Sequence, residues 1–470
     1  MRRILGNAVS ILTSDVVNRG TTFLLYALVA RHMGAFEFGQ FSLALTLFYT
    51  FQVVAVAGLK TLIVREVARD RAKTDAYLIN GSAVVVASCL LSIASLLLFV
   101  RLMGYARETA SLILLLSLGL LPFALSAVCE AVFQAWEKMR LIAWGNAPAS
   151  LAKAGLAFLA LSRGCGLYQL IVLILLTHAA IACVEWRLML RHITRPRANL
   201  DLGFSLGMIR STATFLGIDA TIALWSSLQI LLLARLASET EVGIYSAAAQ
   251  LLVPVGLIFQ SVERTLFPVM CRRFAPGCRD LKQVSEYALA FLLALALPIS
   301  VGVFALADPA LLLLYGKKEF LAAGPVLRIL AWGIALKALT HVLGQALLAG
   351  RRERVTLRIV AVNALVSLGL GLLLIGRFGP VGAALAALLA GAVDAIQHYA
   401  PASRLLAGIS LGRLAWRPAV ACLCMAGVLA AVKDWGVFLS ITAAAAVYAG
   451  ALFILVVRAA GGHWEVQSAK

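Results

Sequence analysis

Long apolar runs broken by short polar clusters repeat from one end of the chain to the other, and that alternation predicts membrane-spanning helices. A run of about 18 apolar residues with few charges is long enough to cross the hydrocarbon core of a bilayer. Such runs fall near 8–30, 38–60, 79–101, 110–133, 142–162, 168–187, 208–234, 243–266, 286–307, 323–349, 358–376, 380–402, 415–432 and 436–457. The expected fold class is all-α: a polytopic membrane protein of about 14 transmembrane helices. None of the connections is long enough to hold a soluble domain.

One stretch of this pattern occurs twice. A constant offset of 204 positions lays Asp15 on Asp219, Leu24 on Leu228, Ala30-Arg31 on Ala234-Arg235, Glu37 on Glu241, Gly39 on Gly243, Ser42 on Ser246 and Lys60 on Arg264, without a gap. Six spans separate the two copies, and an even number restores the same sidedness. The copies are therefore parallel repeats related by an axis along the membrane normal. The expected organisation is an N-lobe over residues 1–200 (helices 1–6), a C-lobe over 201–414 (helices 7–12), and a C-terminal helix pair with a cytoplasmic tail over 415–470. Carriers built from two related halves hold their substrate near the middle of the bilayer and rock to expose it to either side. Between the lobes, Arg187-Leu-Met-Leu-Arg191-His-Ile-Thr-Arg195-Pro196-Arg197 is expected as a cytoplasmic connector lying on the headgroups.

Composition agrees and adds orientation. Hydrophobic residues make up 62% of the chain and charged residues 13%, with a mean hydropathy of +0.94; an ordinary globular domain is roughly 45–50% apolar. Lys and Arg number 41 against 22 Asp and Glu, a net charge of +19. With the N-terminus inside, the basic clusters around Arg65 to Lys73 and Arg351 to Arg358 all face the cytoplasm, and the outer turns carry far fewer. This positive-inside asymmetry places both termini in the cytoplasm and leaves no need for a nucleic-acid partner. Arg2-Arg3 ahead of an apolar run looks like a signal peptide, but Asp15, Asn18 and Arg19 interrupt that run, so an uncleaved first span is expected. The eight cysteines read as packing residues. Cys422 and Cys424 point to different sides of a helix and make no metal or redox pair. There is no Walker A sequence and no extramembrane region to house catalysis, so a transporter is expected rather than an enzyme.

The segment Ala30-Arg-His-Met-Gly34-Ala-Phe-Glu-Phe-Gly39-Gln-Phe-Ser-Leu-Ala-Leu, followed by Gly58-Leu-Lys-Thr-Leu-Ile-Val-Arg65-Glu66-Val-Ala-Arg69-Asp70, closely resembles the first-repeat signature of polysaccharide flippases. These belong to the multidrug/oligosaccharidyl-lipid/polysaccharide (MOP) exporter superfamily. Glu241-Val-Gly243-Ile-Tyr245-Ser246 through Leu266-Phe-Pro268-Val-Met resembles the start of the same family's second lobe. The resemblance covers nearly the whole chain, and members with two extra C-terminal helices are common. It implies alternating-access translocation of undecaprenyl-diphosphate-linked oligosaccharide repeat units across the bacterial inner membrane, for polysaccharide, O-antigen or exopolysaccharide synthesis. The implied partners are that lipid-linked substrate, membrane lipids, and a polymerase or glycosyltransferases of the same pathway. Two other readings stand beside it. A multidrug cation antiporter of the same superfamily would suit Asp15, whereas a membrane-embedded polymerase or ligase would need a larger outside loop than 308–322.

Gly34 and Gly39 bracket Glu37 near the outer end of span one, where a tight reversal and close packing favour glycine. Ionisable residues inside spans carry more weight, since a charge at the bilayer centre costs at least about 2.5–3.5 kcal/mol. Asp15, Asn18, Arg19, Thr22 and Tyr26 share one helical face that is expected to line a cavity, although Asp15 and Arg19 can also pair locally at i, i+4. Span seven repeats the acid as Asp219 and continues the stripe with Ser226 and Gln229, with Ala223 in place of Arg19. Lys153, Lys337 and Arg264 add cations. Lys60 and Arg264 lie near the cytoplasmic boundary, within snorkelling reach of the headgroups. A diphosphate leaves water only where fixed cations and donors replace its hydration. Substrate binding is thus assigned to Arg19, Asn18, Lys153, Arg264 and Lys337 in a cavity of net positive character, with Gln52, Gln229, Gln250 and Gln345 meeting sugar hydroxyls. Coupling is assigned to Asp15, Asp219, Asp394 and His398, of which the last two also read as a satisfied i, i+4 pair. No cofactor is expected, and proton and sodium coupling are both open.

Overall fold

The computed structural model describes residues 2–196, 199–273, 279–432 and 436–468, and every regular element among them is helical. The chain packs into two compact units, Met1–Gly243 and Ile244–Lys470.

The first unit holds α1 (Arg2–Met33), α2 (Ala35–Val56), α3 (Leu59–Arg69), α4 (Thr74–Met103), α5 (Arg107–Ser117), α6 (Leu120–Ala135), α7 (Met139–Ser162), α8 (Leu167–His192) and α9 (Leu202–Leu236). α1 gives way to α2 at Gly34, whose φ of 109° only glycine adopts readily. Gly39, by contrast, is not a turn residue. It lies inside α2 and packs on backbone at the start of the following repeat. Phe38, Phe41, Leu43, Leu47 and Phe48 of α2 are buried at the centre of the unit, and Tyr26 stands edge-on to Phe38 and Phe41 at 5.9 and 5.3 Å.

The expected span 38–60 does not run to its end. Ala57 and Gly58 are both left-handed, at φ 53° and 67°, which stops α2 at Val56 and starts a separate short helix. α3 is amphipathic: Leu59, Leu62, Ile63 and Val67 are buried while Arg65 and Arg69 are exposed. Gly58 also passes close to α9, since a Cβ there would stand 3.2 Å from the Thr212 carbonyl oxygen.

α9 packs on α2, α3 and α4, so the first unit extends beyond the division at 200 and 201. The basic connector is less free than expected. Its residues Arg187–His192 complete α8, and Arg197 lies outside the described residues. Beyond His192 the chain is strapped to α4: the Thr194 hydroxyl donates to Asp75 Oδ1 at 2.6 Å, and buried Asn80 Oδ1 accepts from the Asp201 N–H at 2.9 Å and the Ser205 hydroxyl at 3.1 Å.

The second unit takes most of α10 (Glu239–Arg273), then α11 (Arg279–Ala305), α12 (Ala307–Tyr315), α13 (Gly324–Ala349), α14 (Glu353–Leu405), α15 (Leu411–Ala431) and α16 (Val437–Ser468). Its core gathers Leu289 and Leu292 of α11, Leu343 and Leu347 of α13, and Ile359 and Ala402 of α14. α14 is two helices joined at Gly379 (φ 53°, ψ −130°). A Cβ on Gly382 would lie 2.2 Å from the Leu374 carbonyl oxygen, although residues eight apart on a straight helix are about 12 Å apart. The chain therefore reverses there, between the two runs expected at 358–376 and 380–402. The terminal pair docks on α11, where the Tyr448 hydroxyl donates to the Ala294 carbonyl at 2.6 Å and packs with Cys422, Met425 and Leu429.

Among the described residues, 11 helices are long and apolar enough to cross a membrane, with Glu353–Leu405 counted once. The protein is an all-helical multi-pass membrane protein, but the expected 14 spans are not all apolar by that measure. α7 and the described part of α1 fall outside it. Polar side chains interrupt both, Asn18 and Arg19 in one and Asn146 and Lys153 in the other, and the two helices pack against each other.

Candidate functional site

Those interruptions converge. The first unit encloses a cavity of about 500 Å³, walled by α1, α2, α3, α6, α7, α8 and α9. Its polar lining comprises Asn18, Gln52, Lys60, Thr61, Ser126, Glu130, Asn146, Ser150, Lys153, Thr177, His178 and Asp219, and its apolar lining includes Val53, Val56, Phe123 and Ile222.

Lys60 reaches this wall because the left-handed pair Ala57-Gly58 turns the chain inward just before it. It does not serve as a headgroup anchor: its Nζ donates to Glu130 Oε2 at 2.8 Å. The Asn146 amide then bridges two acids, donating to Glu130 Oε1 at 2.9 Å and to Glu185 Oε1 at 3.3 Å. Glu185 lies behind the wall and is fully buried. It fits because position 145 is glycine, where a Cβ would stand 3.0 Å from Glu185 Cγ.

Lys153, two turns further along the same face of α7, is 9% exposed and makes no hydrogen bond or ion pair among the described residues. A buried ammonium is costly unless something negative meets it, so this side chain is poised for an anion. His178 Nδ1 lies 2.9 Å from the Ile174 carbonyl oxygen, an acceptor, so Nδ1 carries the proton. Its ring is held between Phe48 and Phe123 at 5.4 and 6.0 Å. The Ser150 hydroxyl donates to Asn18 Oδ1 at 3.2 Å, tying α7 to α1. Two lysines, Lys60 and Lys153, thus face two acids, Glu130 and Asp219, across the lining. The formal charges on this lining therefore balance.

The structure brings Asn18, Gln52, Lys153 and Asp219 of the expected site together on this wall. Arg19 is half-buried on α1 and is not part of the lining, and Gln229 lies buried further along α9. Gln250, Lys337, Gln345, Asp394 and His398 belong to the second unit. There Lys337 is exposed on α13, Gln250 and Gln345 are half-buried, and His398 Nδ1 sits 3.2 Å from Asp394 Oδ1 in a buried pair. Asp15 and Arg264 lie outside the residues whose side chains are described. Glu130, Asn146, His178 and Glu185 were not anticipated. The cost of intramembrane charge would have flagged three of them, since Glu130, His178 and Glu185 all fall inside the runs 110–133 and 168–187.

The profile of the polysaccharide biosynthesis protein family matches residues 4–274, more than half of the chain. The chain belongs to this family, within the MOP superfamily. A second profile, lipid II flippase MurJ, matches residues 212–456. A probable low-salt glycan biosynthesis flippase, Agl15 of Haloferax volcanii, is 23% identical over 430 residues, covering 91% of this chain and 89% of that protein. In fold, this polysaccharide biosynthesis protein is similar to lipid II flippase MurJ in an inward closed conformation, with a TM-score of 0.77, 15% identity, and coverage of 96% of this chain and 98% of that one. It is also similar to an inward-facing multidrug resistance MATE transporter of the MOP superfamily, with a TM-score of 0.70, 14% identity, and coverage of 86% and 100%.

Proposed function

We propose that this member of the family is a flippase for lipid-linked oligosaccharide, working by alternating access, with the wall around Lys153 receiving the diphosphate of its substrate. The observation that carries the assignment of the site is a buried lysine without an acidic partner among the described residues, on the wall of a cavity of about 500 Å³ that also presents amides and hydroxyls, in a polysaccharide biosynthesis family. An anion entering there regains from Lys153 and the Asn18 and Gln52 amides the contacts it loses with water. Gln52 is suited to sugar hydroxyls, since an amide both donates and accepts. The prenyl chain remains in lipid.

The bacterial inner membrane, cytoplasmic termini, and undecaprenyl as the carrier belong to this proposal, as do a polymerase or glycosyltransferases as pathway partners. The distribution of Lys and Arg supports the cytoplasmic termini, and the likeness to a glycan biosynthesis flippase supports the glycan pathway. The protein's work is carriage, with no bond made or broken in the substrate. A multidrug antiporter shares the fold, and that likeness is one of fold alone.

The test is reconstitution in vesicles with a fluorescent diphosphate-linked oligosaccharide and a membrane-impermeant quencher. Wild-type protein should move the label between leaflets and Lys153→Ala should slow it at least tenfold. Transport unchanged in Lys153→Ala would remove this wall from the substrate path.

A further inference from the structure

The acid cluster behind the cavity wall has one negative charge too many. Lys60 faces Glu130, and Asn146 donates to both Glu130 and Glu185. Glu185 is 0% exposed; its Oε1 receives one amide contact at 3.3 Å, the Ser126 hydroxyl of α6 also faces the carboxyl, and Oε2 forms no hydrogen bond of ordinary geometry among the described residues. The titratable groups that face it are Glu130 and the Cys129 thiol from α6 and Lys60 from α3. From α7 it meets only Asn146 and Gly145, neither of which titrates. With both carboxylates ionised, one lysine and two acids leave a net single negative charge in the interior. An ionised carboxylate with an orphan oxygen is among the most expensive groups to bury. Two carboxylates this close settle the excess when one of them binds a proton.

The charge matters to the cavity. Its lining already sets Lys60 and Lys153 against Glu130 and Asp219, so an ionised Glu185 beneath it would make the region repel an anion. We infer that the Glu130–Asn146–Glu185 cluster is a proton-binding site, with the proton on Glu185 Oε2, and that its occupancy admits the anionic headgroup to the cavity. In the binding step a hydronium in cavity water gives its proton to Oε2, an O–H bond forms, a water molecule is left, and the cluster becomes neutral. Linkage then works both ways: a bound anion tightens the hold on the proton, and the proton tightens the hold on the anion. The proton site stands on the geometry of the cluster, while its connection to a diphosphate rests on the flippase reading above.

The two parts separate in experiment on the full-length protein in detergent. Infrared difference spectra should contain the carbonyl stretch of a protonated, buried carboxyl at neutral pH, and Glu185→Gln should remove it. Absence of that band in wild type, or its persistence in Glu185→Gln, overturns the proton site whatever the transport assay gives. Should Glu185→Gln fail to fold, Gly145→Ala presses a methyl against Glu185 and should shift the band, and an unmoved band counts against the assignment. Calorimetry with inorganic pyrophosphate at alkaline pH, where the free cluster has lost its proton, in two buffers of different ionisation enthalpy should then register uptake of up to about one proton in wild type and none in Glu185→Gln. Wild-type affinity should fall by up to about tenfold per pH unit on the alkaline side and stay flat in the variant. Binding without proton uptake overturns the linkage. No binding at any pH, with the band present, overturns the headgroup reading and the linkage together and leaves the proton site standing.

Discussion

Gly39 and Gly243, positions that the internal repeat makes equivalent, meet backbone to backbone. A Cβ on Gly39 would stand 1.7 Å from the Glu239 carbonyl oxygen, and one on Gly243 would stand 2.0 Å from that of Ala35. Ala35 and Glu239 are themselves repeat partners at the offset of 204. The contact is therefore reciprocal, each copy's first turn resting on the other's glycine, as at a two-fold interface between subunits. Backbone on both sides cannot yield as a side chain can. Gly39→Ala and Gly243→Ala should each destabilise the protein by about 1–3 kcal/mol or more, by similar amounts, because overpacking against a rigid neighbour has this scale. Thermal unfolding in detergent measures it, and a tolerated alanine at either position would contradict the contact.

Lys153 should behave unlike an ordinary buried residue. Replacing it by Met removes an ammonium that has no partner to leave behind, so unfolding temperature should hold or rise while headgroup binding falls. A loss of both together would mean that the lysine is structural. Melting curves and pyrophosphate titration on the same preparation decide between the two.

The ion pair Lys60–Glu130 is partly exposed, with side-chain accessibilities of 42% and 21%. Water screens such a pair, so a double-mutant cycle through Lys60→Met and Glu130→Gln should give a coupling of about 1 kcal/mol or less. Its larger effect should be positional: either single variant should loosen α3, which hydrogen exchange at residues 59–69 would register.

At the reversal in α14, Gly379 adopts φ 53° and ψ −130°, a region that residues with a Cβ almost never enter. Gly379→Ala should cost about 1–3 kcal/mol, whereas Gly376→Ala, a helical position with nothing within 4 Å of the added methyl, should be neutral or slightly stabilising. Equal effects at the two sites would contradict a reversal at 379.

Much of the architecture was readable from the alternation of apolar runs, because a bilayer demands satisfied backbone and so forces each run into a helix. The repeat was equally plain, since Asp15 and Asp219, Gly39 and Gly243, and Lys60 and Arg264 keep one spacing. Lys60 was misplaced for a specific reason: reading 38–60 as one run averages through Gly58, whose left-handed turn redirects the lysine from the headgroups to Glu130. The acid cluster was hidden for another. Its members come from α3, α6, α7 and α8, with 70 residues between Lys60 and Glu130 and 39 between Asn146 and Glu185, and no local periodicity joins them. Charge balance in the lining could not be foreseen while Glu130 was left uncounted.

The polar interruptions of α1 and α7, Asn18 and Arg19 in one and Asn146 and Lys153 in the other, have a consequence for how the protein is made. Polar side chains that face water inside the finished lobe face the translocon and lipid while the chain is being synthesised, and a helix carrying them partitions poorly alone. α1 emerges from the ribosome well before the α7 partner against which it packs. Its topology should then be fixed by the firmer α2 and the arginines that come after it, with α1 settling only once Ser150 is there to meet Asn18. Chains truncated after residue 33 should insert inefficiently and in mixed orientation, and those extending past residue 162 should insert uniformly, as glycosylation-site mapping would record.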